Sequence, residues 1–165
     1  MLCTQSAGGI SEAEYVELLI QQQVSGVVFV GGQYTQQDAP HEHYARLTEL
    51  GLPTVLVNAP IEGLGFATVS TDDAVAAEQA IAHLHQLGHT RIGLLLGPRD
   101  HIPSLRKLAS ARVVADRLGL AIDDDQVVQS LYSLEAGQAG AARLLRAGVT
   151  GILCASDPLS LGAIR

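Results

Sequence analysis

Tryptophan is absent from this sequence, and aromatic residues of all kinds make up 4% of it. A core built from these 165 residues therefore has to be aliphatic, packed from Leu, Val, Ile and Ala. Lysine is nearly absent too. Lys107 stands alone, and Lys and Arg together number 10 against 17 Asp and Glu. The formal net charge is −7, with no basic run anywhere. Contact with a phosphate backbone needs clustered Lys and Arg, so these residues by themselves are not expected to bind nucleic acid. Two cysteines, Cys3 and Cys154, are too few for a disulfide framework. Both sit in apolar, strand-like runs (MLC and GILCAS) and read as buried reduced thiols. The opening residues MLCTQSAGG lack the basic and long apolar regions of an export signal. No stretch of about 18 apolar residues offers a membrane helix. A cytoplasmic protein that does not touch a membrane is the expectation.

What is present is apolar and ordered. Hydrophobic residues reach 47%, enough for a sizeable core and against disorder. One cadence recurs: an amphipathic helix, a glycine, then a short apolar strand. The first helix opens at Ser11, with Glu14 three residues on as a capping box. The strand from Gly26 to Val30 follows it. A second helix runs from about His41 to Leu50, capped by Gly51 and stopped by Pro53, before the strand from Thr54 to Asn58. A short strand from Phe66 to Ser70 precedes a third helix, about Asp73 to Leu87, capped by Gly88. The strand from Arg91 to Gly97 comes next. A fourth helix, about Pro103 to Leu118, ends at Gly119 and leads to a strand near Gln126 to Ser130. A fifth helix runs from Leu134 to Ala147 with Ser133 as its N-cap. It precedes the strand from Gly151 to Ala155, and a last helix opens at Asp157-Pro158, with Asp157 read as its cap.

Apolar strands alternating with helices predict a parallel sheet covered on both faces, hence an α/β fold. Right-handed crossovers put all strand C-termini along one edge, where ligands bind. The segments to watch are therefore Thr4 to Gly9, Gly31 to Gln33, Asn58 to Pro60, Thr71 to Asp73, Pro98 to Pro103, Leu131 to Tyr132, and Ser156 to Asp157.

Other chemistries find little support. Ser104-x-x-Lys107 has the spacing of a serine acylase motif, but its companion motifs are missing. His41, His43, His83, His85 and His89 could be thought of as metal ligands. However, His83 and His85 are two apart on a helix and point to different faces, so solvated histidines are the simpler reading. No glycine-rich dinucleotide or nucleotide loop occurs. The acidic run Asp123 to Asp125 reads as a solvated turn. No enzymatic activity, cofactor or metal is expected.

Several segments, in order, resemble the effector domain of the LacI/GalR family of transcriptional regulators. They are MLCTQSAGGISEAEYVELLIQQQVSGVVFVGG, GLPTVLVN, VSTDDAVAAEQAIAHLHQLGHTRIGLLLGP and RLLRAGVTGILCASDPLSLGAIR. The phrase His-Leu-x-x-Leu-Gly-His-x-Arg-Ile, starting at His83, is the most telling. The resemblance implies a two-lobed fold of the type I periplasmic-binding-protein kind, each lobe a parallel sheet flanked by helices and incomplete here. Residues 1–88 would form the N-terminal lobe and residues 89–165 a truncated C-terminal lobe. It also implies a chain that is part of a longer protein. That protein would carry a DNA-binding head, form a homodimer, and touch operator DNA only through the head.

The family binds small molecules, most often sugars, between its lobes. By alignment to its pattern, Asp72 takes the acid position of the first lobe. Lys107 falls where many members have Arg, losing the bidentate fork and leaving a point charge. Tyr132 is the aromatic after a strand, and His101 lies in the Gly-Pro loop. Ser156-Asp157 replaces the usual Asn-Asp. Asp72 and Asp157 are equally readable as helix caps, Tyr132 as core, and Lys107 as part of a solvated helix face. The alternative function is a sugar solute-binding protein of a transporter, which shares the fold but needs an export signal or anchor.

Overall fold

The computed structural model describes residues 9–165. The strand expected near Leu2, Cys3 and most of the first edge segment lie outside the described residues. The chain divides into two compact units, one reaching Ser70 and the other spanning Thr71–Arg165.

The first unit contains α1 (Glu12–Gln21), β1 (Val27–Phe29), a 3-10 turn (Gln33–Thr35), α2 (Glu42–Glu49), β2 (Thr54–Val57) and β3 (Ala67–Val69). The capping box forms as the sequence predicts. Glu14 N–H donates to Ser11 Oγ at 3.2 Å, and Ser11 N–H donates to the Glu14 carboxylate at 2.6 Å. The three strands are parallel in the order β1–β2–β3, with Val28 opposite Val55 and Leu56 opposite Thr68. Val16 and Leu19 of α1, Tyr44 and Leu47 of α2, and Leu56 of β2 are buried together with Tyr34. Among the described residues, part of this sheet is left open. Val28 and Val69 are 62% and 63% exposed. In β2 the buried residues are Thr54 and Leu56, alternate positions that share one face, so the packed helices of this unit cover one side of the pleat.

The second unit contains α3 (Asp73–Gln86), β4 (Ile92–Leu96), α4 (Ile102–Arg117), a 3-10 turn (Asp124–Gln126), β5 (Val127–Gln129), α5 (Leu134–Arg146), β6 (Gly151–Cys154) and α6 (Asp157–Ile164). Its strands are also parallel, in the order β5–β4–β6. All five residues of the central strand β4 are buried. Ile92, Leu94 and Leu96 pack with Ala77 and Ile81 of α3 and Ala111 and Val114 of α4. Leu95, on the other face, packs with Val128, Leu144, Val149 and Leu159. α5 and α6 approach closely through glycines. A Cβ on Gly162 would sit 2.1 Å from the Leu134 carbonyl oxygen.

The contact division falls between Ser70 and Thr71. The helix Asp73–Gln86 belongs to the second unit because Ala77 and Ile81 complete the core over β4. Asp72, the N-cap residue of this helix, lies in the same unit. Because β4, β5 and β6 are parallel and in register (Leu96 with Gln129, Leu95 with Cys154), their C-termini share one edge. A helix leading into a parallel strand runs back against it, so the first turns of α3, α4, α5 and α6 lie at that edge as well.

Candidate functional site

All six expected ligand residues fall in the second unit, near the ends of its strands. Two of them touch. Tyr132, in the loop after β5, places its hydroxyl 3.1 Å from His101 Nδ1, with the rings edge to face at 5.6 Å. The hydroxyl also lies 3.2 Å from Oγ of Ser104, in the first turn of α4. Ser104 is fully buried. Tyr132 can reach this position because residue 97 is glycine. A Cβ there would stand 2.0 Å from the phenol oxygen. His101 precedes α4 as its N-cap residue. Burial lowers its imidazole pKa below the ordinary value, Asp100 opposes the shift, and Lys107 adds to it.

Lys107 is held elsewhere. Its Nζ donates to Asp73 Oδ1 at 2.6 Å, and Arg106 Nε lies 2.9 Å from Asp73 Oδ2. Asp73 is 6% exposed, so two neighbouring cations of α4 clamp a buried carboxylate on α3. A buried acid is tolerable only when paired in this way. The aliphatic stem of Lys107 lines a cavity of about 160 Å³ with Ala76, Leu96, Leu153 and Cys154. Cys154 is a free thiol, half-buried, and burial pushes its pKa up.

The remaining three residues are occupied with helix ends. Asp72 accepts from the N–H groups of Ala74 and Val75 at 3.0 and 3.1 Å, so it caps α3. Ser156, and not Asp157 as expected, caps α6, accepting from Leu159 N–H at 3.4 Å. Asp157 sits exposed in the first helical turn, where a negative charge favours the N-terminal dipole. The structure thus joins His101 with Tyr132, sets Lys107 on Asp73, and leaves Asp72, Ser156 and Asp157 as separate helix-end groups.

Sequence reasoning placed Asp73 only within the strand-end segment Thr71 to Asp73, without a role, and it met Ser104 only in the spacing of an acylase motif. That motif is not assembled: the Lys107 amine is paired with Asp73, and the Ser104 hydroxyl faces Tyr132. No local pattern marks either partner, since the contacts span 34 and 28 residues. In the first unit, the corresponding strand end carries Asn58 at φ 83°, a left-handed conformation uncommon outside glycine and often found at functional positions. Among the described residues no group of three or more His, Cys, Asp or Glu could hold a metal ion, and no helix is long and apolar enough to cross a membrane.

No family profile matches the chain. Along its whole length it is 44% identical, over 168 residues, to an HTH-type transcriptional regulator of Streptomyces limosus, of which the match covers 48%. It is 41% identical over 169 residues to the HTH-type transcriptional regulator MalR of Streptomyces coelicolor, again across the whole chain and 49% of the relative. Among solved structures, a LacI family regulator from Mycobacterium smegmatis superposes with a TM-score of 0.76 at 25% identity, over 92% of this chain and 55% of that one. The chain belongs to the LacI family of transcriptional regulators. The transcriptional regulator CelR, solved as a complex with cellobiose, is also similar, with a TM-score of 0.76 at 26% identity over 92% of this chain and 46% of that one. This LacI-family chain spans about half the length of the curated relatives it matches.

Proposed function

We propose that this LacI-family chain is the ligand-sensing and dimerisation core of a DNA-binding transcription regulator, and that its effector is a sugar. The observation that carries this reading is the contact of Tyr132 with His101 at the C-terminal edge of the second sheet, with the Asp73-paired charge of Lys107 acting on His101 from α4. A ring face, a neutral imidazole and a cation are the groups that polyhydroxylated molecules require: an apolar surface for the sugar ring and polar groups for its hydroxyls. Asp72, Ser156 and Asp157 complete the ligand set from the helix ends at the same edge. Similarity to CelR, whose solved complex holds cellobiose, supports a saccharide.

In the parent protein, operator DNA is bound by a head outside this acidic segment, and the core forms a homodimer in the cytoplasm. The effector changes DNA affinity only through its different affinity for two conformations of the core. The chain's role is binding without turnover.

The test is a thermal-shift screen of the chain against mono- and disaccharides, cellobiose among them, and sugar phosphates. A ligand at 100 times its Kd stabilises by about 2.7 kcal/mol, a rise of about 5 °C or more in Tm for a chain of this size. Asp72→Ala and Tyr132→Ala should each reduce the shift given by the best ligand. If both leave it unchanged, the site assignment is wrong; if no saccharide shifts Tm, the ligand class is wrong.

A further inference from the structure

Three polar groups form a chain in the second unit: Ser104 Oγ, the Tyr132 hydroxyl and His101 Nδ1, separated by 3.2 and 3.1 Å. Each hydroxyl has one proton to give, and the imidazole can carry its proton on either nitrogen. Ser104 is fully buried, and Tyr132 is the side-chain partner of its hydroxyl. If Tyr132 donated to Ser104, the serine's own proton would have no acceptor, and a buried donor left unpaired is costly. The protons are all satisfied in one direction: Ser104 donates to Tyr132, and Tyr132 donates to His101 Nδ1. The remaining proton of the neutral imidazole then sits on Nε2.

We propose that Ser104 is a positioning residue that fixes the direction of this relay, so that His101 offers an Nε2–H donor to the effector and selects a ligand with an acceptor oxygen at that point. The relay itself stands on the geometry of the unliganded chain; its use in recognition rests on the proposed effector site. Protonating His101 places a proton on Nδ1, so Tyr132 can no longer donate there; it must accept from Nδ1 as well as from Ser104, and its own proton loses its partner in the relay. The relay therefore opposes protonation, in the same sense as the burial of His101. The charged groups facing His101 are Asp100 in its own loop, which favours the cation, and Lys107 on α4, which disfavours it.

The experiment is proton–nitrogen correlation NMR of the histidine rings of the full chain, titrated with pH without ligand. His101 is assigned among the six histidines by its loss in His101→Gln. In the wild type, neutral His101 should show an unprotonated Nδ1 and a protonated Nε2. In Ser104→Ala the bond that directs the Tyr132 proton toward His101 is gone, so Tyr132 can accept from Nδ1–H as readily as it donates to Nδ1. The tautomers should mix and the titration midpoint should rise by about half to one unit, the scale of one net hydrogen bond. Tyr132→Phe removes both bonds without altering the interior of α4. It should raise the midpoint in the same direction, and it keeps the question open to test if Ser104→Ala does not fold. A proton on Nδ1 in the neutral wild type, or an unchanged midpoint in the folded variants, would overturn the relay. A relay seen by NMR together with a saccharide shift unaffected by His101→Gln would leave the relay standing and refute its part in effector recognition.

Discussion

Among the described residues the two sheets have the same number of strands, all parallel, yet they are buried very differently. In the second unit β4 is closed in on both faces, with α3 and α4 over Ile92, Leu94 and Leu96 and with α5 and α6 over Leu95. In the first unit Val28, Val30 and Val69 stay largely exposed, and no residue of β3 is buried. Both sets of strands read alike in the sequence, as short apolar runs. Apolar composition thus records how a strand can be used. Whether both of its faces are covered depends on how many helices the rest of the fold brings to it.

The sharpest way to break this comparison is to shorten one side chain in each sheet. Leu94→Ala removes buried methyl groups from a closed core and should cost about 2–5 kcal/mol. Val28→Ala, on the exposed face, should cost under about 0.5 kcal/mol. Urea denaturation followed by far-ultraviolet circular dichroism gives both values. Equal costs would mean that the exposed face of β1 is covered in solution. A smaller effect is expected where α5 meets α6. Gly162→Ala forces a methyl group onto the Leu134 carbonyl and the Gln138 amide nitrogen, so the helices must separate, at about 1–3 kcal/mol. The same denaturation measures it, and a neutral result would show that this helix pair is looser than its geometry.

Much of the second unit could be read from local signals. Gly88, Gly119 and Gly148 all end helices with positive φ, where an L side chain would be strained, and the helix starts at Ser11 and Ser133 carry the caps their residue types announce. What could not be read depends on long-range packing. The spacing of Ala77 and Ile81 shows which face of α3 is apolar; it cannot show which sheet that face covers. The candidate site divides in the same way. His101, Lys107 and Tyr132 were legible because each follows a strand end or matches a family position. Asp73, the partner that holds Lys107, and Ser104, the partner of Tyr132, were not, because an acid–base or hydroxyl pair across two helices leaves no pattern in sequence.

The units also differ in how their polar cores answer to pH. In the first unit the Tyr34 hydroxyl is shared between the carbonyl oxygens of Phe29 and Val57, at 2.9 and 2.6 Å, and so ties the end of β1 to the end of β2. Tyr44 donates to the buried carboxylate of Glu12, which also accepts from the Gln33 N–H at 2.8 Å. Burial pushes the Tyr34 pKa up to about 12, and the charge of Glu12 adds to the effect; burial and the bond to Glu12 shift Tyr44 the same way. A phenol whose folded pKa lies above its unfolded value stabilises the fold fully below the unfolded value, and that stability is lost as pH rises through the folded one. The first unit should therefore weaken between about pH 10 and 12. Three of the four tyrosines lie in this unit, so near-ultraviolet circular dichroism of tyrosine reports mainly on it. Tyr34→Phe should cost about 1 kcal/mol at pH 8. That deficit should shrink as pH approaches 12, because the wild type is then losing the same bond. A deficit that stays constant across the titration would show that the Tyr34 proton does not join the two strand ends.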